Sequence, residues 1–255
     1  MKRAIVVGGF IAFCVPAFAE QSLSQAANDP TAALMNVQVN DLYTSDYHNL
    51  SGEDANQIQL RSAVPFQWGS QQHIFRVTIP VITDSPFLDE GVSDTTIFDL
   101  ATFESDWGRW GAGVVGLLPT GGEKRGTEKW GVGPALGFIA QADKGIWGVF
   151  NQNIFTVAGD DDRADVNLSI VQPIVSYSLG GGWSVGTSDM SITYDWDASE
   201  FSSLPLGAKL SKLKKFGKVP VQLGLEYEYN FYDEAINSPK SQLRLSAKLL
   251  FPSIF

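Results

Sequence analysis

Nine ionisable side chains carry most of the chemistry available to this sequence: Arg61, Arg76, Asp189, Asp195, Lys209, Glu226, Glu228, Arg244 and Lys248. Each falls on the polar side of a segment whose residues alternate between polar and apolar. Their signs are mixed, and neighbouring segments put Lys209 and Arg244 or Lys248 on either side of Glu226 and Glu228. Gathered in one enclosed space, such a set can do one of two things. It can pair off into ion bridges that fill a narrow interior, or it can form a charged constriction that sorts small solutes. The sequence leaves both readings open.

Other reactive groups are sparse. The sequence holds two histidines. His48 has Ser51 three residues on, with Asp46 and Asn49 near enough to orient its ring. A hydrolase acting on lipid could use such a pair, but a strand face collects residues at even spacing and this spacing is odd. An exposed loop histidine is the plainer expectation, so no catalytic residue is assigned and the chain is read as a non-enzyme. His73 follows a tight turn. The run 160–165 offers carboxylate oxygens to a hard cation. It lacks the glycine and closing glutamate of an EF-hand, so a solvated loop is expected, with no metal and no cofactor. The lysines at 209, 212, 214, 215 and 218 surround a tight turn and read as a solvated rim.

The elements that must position these groups are strands. From 219 to 232, Val219, Val221, Leu223, Leu225, Tyr227, Tyr229 and Phe231 share one face, while Gln222, Gly224, Glu226, Glu228 and Asn230 share the other. From 242 on, Leu243, Leu245, Ala247, Leu249 and Phe251 oppose Arg244, Ser246 and Lys248, with Phe255 further along the apolar side. A strand has a period of two, so each segment has one oily side and one charged side. Segment 57–68 puts Ile58, Leu60, Val64, Phe66 and Trp68 outward, and segment 183–196 does the same with Met190, Ile192, Tyr194 and Trp196. Segments 37–47, 95–105 and 146–157 alternate poorly.

With 73–84, 109–119, 128–141, 166–178 and 201–213, these make about twelve strands. An even count suits a transmembrane barrel, which needs roughly 9–11 tilted residues per crossing. Tight turns near 69–71, 106–108, 143–145, 180–182 and 216–218 alternate with longer polar connections, as short periplasmic turns alternate with outer loops in such barrels. Trp68, Trp110, Trp147 and Trp183 border tight turns, and Trp130 and Trp196 border longer loops, the placement of an interfacial aromatic girdle. Prolines recur within or at the ends of strands, at 65, 80, 119, 134, 173, 205 and 220, and suggest bulges or strand ends. Trp110-Gly111-Ala112-Gly113 and Trp130-Gly131-Val132-Gly133 repeat small residues that widen a lumen or admit close packing.

Residues 1–19 have the form of a secretory leader: Lys2 and Arg3, an apolar stretch from Ala4 to Val15, then Ala17-Phe18-Ala19. The one cysteine, Cys14, lies inside it, so disulfide and thiol chemistry are excluded from the exported chain. The net charge is −10, and losing Lys2 and Arg3 makes it more negative, which excludes nucleic acid as a partner. A mean hydropathy of −0.02 fits a barrel, because half of each strand is polar. Segment 20–36 precedes the barrel proper, which is expected over 37–255. In it, 24–28 suggests a helical turn stopped by Asp29-Pro30, placed either in the periplasm or inside the lumen.

Several motifs recur in one family. They are the run 158–167 followed by Gln172-Pro173 and Ser176-Tyr177, Thr193-Tyr194-Asp195-Trp196, Leu117-Leu118-Pro119-Thr120, and Lys129-Trp130-Gly131-Val132-Gly133-Pro134. With Asn28-Asp29-Pro30 and Ala33-Leu34-Met35, they resemble a family of bacterial outer-membrane barrels labelled transporters. These are sometimes named neuromedin U-like and are similar to barrels associated with the MetA pathway of phenol degradation. The resemblance implies a barrel fold and passage of small or hydrophobic compounds, with no established catalytic residues. The expectation is therefore an all-β, closed antiparallel barrel in the outer membrane. Its partners are membrane lipid, the barrel-assembly machinery and a small-molecule solute. A non-conducting structural or adhesive barrel is the alternative, and a lipid hydrolase a more remote one.

Overall fold

Alternating polarity over long segments, broken by glycine turns, leaves little choice but paired strands with two unlike faces. The computed structural model describes residues 22–251. Residues 1–19, read above as a leader, residues 20–21 and the tail 252–255 with Phe255 lie outside the described residues.

The described chain is a closed antiparallel barrel of twelve strands. They are β1 (Met35–Tyr47), β2 (Ala55–Trp68), β3 (Gln71–Asp84), β4 (Thr95–Ser105), β5 (Gly108–Leu118) and β6 (Lys129–Ala142). Then follow β7 (Gly145–Gly159), β8 (Leu168–Gly180), β9 (Trp183–Thr187, resuming as Ile192–Asp195), β10 (Glu200–Ser203 and Pro205–Phe216), β11 (Val219–Asn230) and β12 (Pro239–Phe251). A two-residue stub, Gly91–Val92, pairs with β3. Every strand pairs with its chain neighbours, and β1 closes the ring on β12 with Val37 opposite Leu249 and Tyr43 opposite Leu243. Among the described residues the twelve strands close into a ring, so none of them is an edge strand of an open sheet.

Burial follows the alternation. On β11, Gln222, Glu226, Glu228 and Asn230 are buried inward, while Leu223, Leu225 and Tyr227 are exposed outside. The poorly alternating segments also resolve. On β1, Gln38, Asn40, Leu42 and Thr44 turn inward, and Val37, Val39 and Tyr43 outward. On β4 and β7 the inner face is itself apolar, with Phe98, Leu100, Phe150 and Ile154 buried in one cluster. That cluster joins Ile74, Val115, Leu117 and Ala135 and fills one side of the interior. Asp99, on the outer face of β4, is held by His73 of β3, whose Nδ1 lies 3.1 Å from its Oδ2. The His73 ring stacks on Phe66 at 5.2 Å, so the outward charge is paired and flanked by an aromatic.

The prolines divide between regular ladder and irregular positions. Pro65 lies opposite Ile74 in regular register. Pro80 lies opposite Gln59, but on its other side the register slips by one residue between the Thr78–Thr96 and Val81–Val92 pairs. Pro173 lies opposite Val149 and, on its other side, faces the gap in pairing between Val171–Ile192 and Ser176–Gly186. Each costs one ladder donor. Of the two uses expected of the glycine repeats, close packing is the one realised. A Cβ on Gly111 would come within 2.7 Å of Leu100 Cδ2, and one on Gly131 within 2.5 Å of Ile154 Cγ2. Segment 183–196 is not one strand. It leaves the ladder over 188–191, and Met190 is buried instead of facing outward.

The glycine turns take the conformation they need. Gly69 and Gly217 both sit at φ +62°, where a Cβ would be strained. At this tight-turn end, Trp68, Trp107, Trp110, Trp147 and Trp183 are exposed, and Trp130 and Trp196 are exposed at the long-loop end.

Candidate functional site

The site begins with a missing stretch of ladder. Where β9 breaks, residues 188–191 fold into the lumen. Gly207 of β10 provides the notch. Ser188 N–H donates to the Gly207 carbonyl at 3.2 Å, and a Cβ on Gly207 would collide with Ser188 Oγ and come within 2.6 Å of Glu228 Cγ. A side chain at 207 would push the excursion out.

The excursion delivers Asp189 to the lumen. Arg61 reaches it from β2 at 2.9 Å, Lys209 from β10 at 3.5 Å and Arg244 from β12 at 3.5 Å. Behind it Glu226 is 1 % exposed. Glu226 pairs with Lys209 at 3.1 Å and Arg244 at 3.3 Å, and accepts the Asp189 N–H at 2.8 Å. Glu228 lies 3.7 Å from Arg244. The register builds this lattice, since Lys209 stands opposite Glu226 and Glu226 opposite Arg244 across three consecutive strands. Asp189 is shared by three cations and Glu226 by two, which offsets the cost of burying so much charge, while Glu228 meets a single cation, Arg244, among the described residues.

A second barrier closes the tight-turn end. Residues 22–34 fold into the barrel mouth, led by the helical turn α1 (Leu23–Ala26), whose Ser22 and Gln25 form a reciprocal capping box. Ala27, Ala32 and Leu34 pack on Leu250 and Leu213 of the wall. Polar latches surround this contact. Asp29 accepts from Thr31 and pairs with Arg109 of β5 at 3.1 Å, Lys248 Nζ donates to the Ala27 carbonyl at 2.8 Å, and the Ser24 and Ser184 hydroxyls meet at 3.0 Å.

Between plug and lattice lies a cavity of about 110 Å³. Beyond the lattice, towards the long loops, Glu228, Asn230, Gln242 and Arg244 line a second cavity of about 150 Å³. Asp189 borders both, so the lattice is the partition.

Of the nine ionisable residues singled out from sequence, the structure brings Arg61, Asp189, Lys209, Glu226, Glu228 and Arg244 into this one network. Lys248 stands below it on the plug, and Arg76 lies over the Phe98 ring at 4.1 Å. Asp195 is elsewhere. Its carboxylate accepts the Asp197 and Ala198 N–H groups and shapes the turn into β10, an ordinary use of an aspartate before a turn. Asp29, Arg109 and Gly207 were missed. A glycine inside an otherwise regular strand and inward-facing Leu213 and Leu250 were the available signals. His48 hydrogen-bonds the Asn230 carbonyl at 2.7 Å and packs edge-on to Tyr229, with no hydrogen bond to Ser51. Lys129, 2.9 Å from Asp165, ties down the end of the acidic run.

No protein-family model matches the chain, and no curated protein matches it in sequence. Solved structures do match. The NanC porin is 11 % identical with a TM-score of 0.56, over 85 % of this chain and 98 % of that one. An outer membrane channel from Pseudomonas putida F1 is 17 % identical with a TM-score of 0.57, over 88 % and 99 %. At these identities the likeness establishes the fold alone, the closed barrel that the strand ladder already shows.

Proposed function

We propose that the chain is an outer-membrane channel for small solutes, with the ion lattice as its filter and residues 22–34 as its plug. The observation that carries this is the contrast between the two surfaces. The outside is apolar along its length and bordered by exposed tryptophans, while the lumen holds a charged partition between two cavities. Oily outside, wet and charged inside, is the requirement for a pore through lipid. The names of the two similar structures, a porin and an outer membrane channel, point the same way. Membrane lipid, the barrel-assembly machinery and a small-molecule solute are the partners this reading brings. Family resemblance adds compounds with an apolar or aromatic body. The proposal assigns no catalysis, since His48 is committed to a backbone carbonyl.

Planar-bilayer recording with purified protein tests it. Asp29→Ala removes the carboxylate that ties the plug to Arg109 of the wall and braces Thr31 within the plug, and should raise the open probability. Neither current nor solute flux from the parent chain and this variant would overturn the proposal. That outcome would favour a closed structural barrel, the reading supported by the packing of Ala27, Ala32 and Leu34 on the wall.

A further inference from the structure

The cavity between plug and lattice is unevenly charged. Arg61, Arg76, Lys209 and Lys248 border it, against Asp29 and Asp189. Asp189 is taken by Arg61, Lys209 and Arg244, and Asp29 is bonded to Arg109 and Thr31. Two cations remain without a carboxylate within salt-bridge distance among the described residues. Lys248 donates only to the Ala27 carbonyl, and Arg76 rests its guanidinium on the Phe98 ring with no hydrogen bond to a described residue. A guanidinium held flat by an aromatic ring keeps its edge donors for a planar acceptor, and a carboxylate fits that fork in two-point fashion.

One side of the wall is apolar, where Ile74, Phe98, Pro173 and Ile174 border the space, and the other carries the amide and hydroxyl groups of Gln38, Ser184, Ser188 and Ser211. Its volume of about 110 Å³ is of the order of the roughly 150 Å³ cavity that holds benzene in an engineered protein. Two unmatched cations beside an apolar patch, in a space of that size, set a ligand chemistry.

We propose that this cavity is a binding site for a small organic monoanion, a carboxylate carrying a compact apolar body, held by Arg76 and Lys248. The proposal rests on the channel reading for its purpose and names the solute class of that channel. Its physical content is separate. The carboxylate supplies the charge that the wall lacks, and the apolar body covers Ile74, Phe98 and Ile174. Displacing the Ala27 carbonyl from Lys248 would also loosen one latch of the plug, so binding and opening are coupled.

Equilibrium binding to the full exported chain, folded in detergent, tests the site without requiring conduction. Titration calorimetry with benzoate should show one saturable site, acetate should bind more weakly, and benzylamine should not bind. Arg76→Gln and Lys248→Gln should each weaken benzoate about tenfold or more. Asp195→Asn, far from the cavity, should leave it unchanged. Heat-modifiable gel migration verifies that each variant is folded, and the two cations lie on different strands, so loss of one variant leaves the other as the test. Benzylamine binding as well as benzoate, or benzoate binding that survives both substitutions, would overturn the inference. Bilayer current without benzoate binding would sink this inference alone, and benzoate binding without current would sink the channel alone.

Discussion

The two sides of the lumen are built on opposite plans. From β9 round to β2 the inner face is charged and cross-linked, with Asp189, Lys209, Glu226, Arg244 and Arg61 in one lattice. From β3 to β8 it is largely apolar, with Phe98, Leu100, Val115, Phe150 and Ile154 packed as in a water-soluble core and Arg76 laid over the Phe98 ring. The backbone is the same on both sides. The difference shows that a barrel can seal part of its interior by dispersion and packing density, and keep ionic chemistry for the remainder. In the channel proposed here, half a ring of charge facing an apolar wall would serve as the filter.

Removing a partner from the charged side should have the largest effect. Glu226→Ala leaves Lys209 and Arg244 short of a buried counter-charge. It should cost about 3–5 kcal/mol in urea unfolding from lipid vesicles and shift the reversal potential towards anions. On the apolar side, Phe150→Ala should cost a comparable 3–5 kcal/mol or so through the cavity it opens, yet leave ion selectivity where it was. A selectivity change as large as that of Glu226→Ala would erase the distinction between the two sides. Asp195→Ala, outside both, should cost about 1 kcal/mol and change neither property.

The same comparison explains what the sequence disclosed. β11 and β12 were legible because their inner face is polar and their outer face oily, so the period of two stands out. β4 and β7 were not, because Phe98, Leu100, Phe150 and Ile154 make the inner face oily as well, and Asp99 puts a charge outside. Asp189 was placed inside for the right periodicity but in the wrong element. Ser-Asp-Met-Ser alternates like a strand, and only Gly207 on the next strand betrays the excursion. The plug left a fainter trace, since Leu213 and Leu250 sit at inward positions that would otherwise be wet. Long-range contacts such as Asp29 with Arg109 carry no local signal at all.

The gating of a charged lumen by its own N-terminal segment is the central claim, and a reversible tether tests it. Ser24 and Ser184 face each other with their hydroxyls 3.0 Å apart, so Ser24→Cys with Ser184→Cys should join plug to wall by a disulfide. The account predicts that bilayer current is absent while the tether is oxidised and appears on reduction, with tethering verified by gel shift. Identical recordings from the oxidised and reduced protein would contradict it.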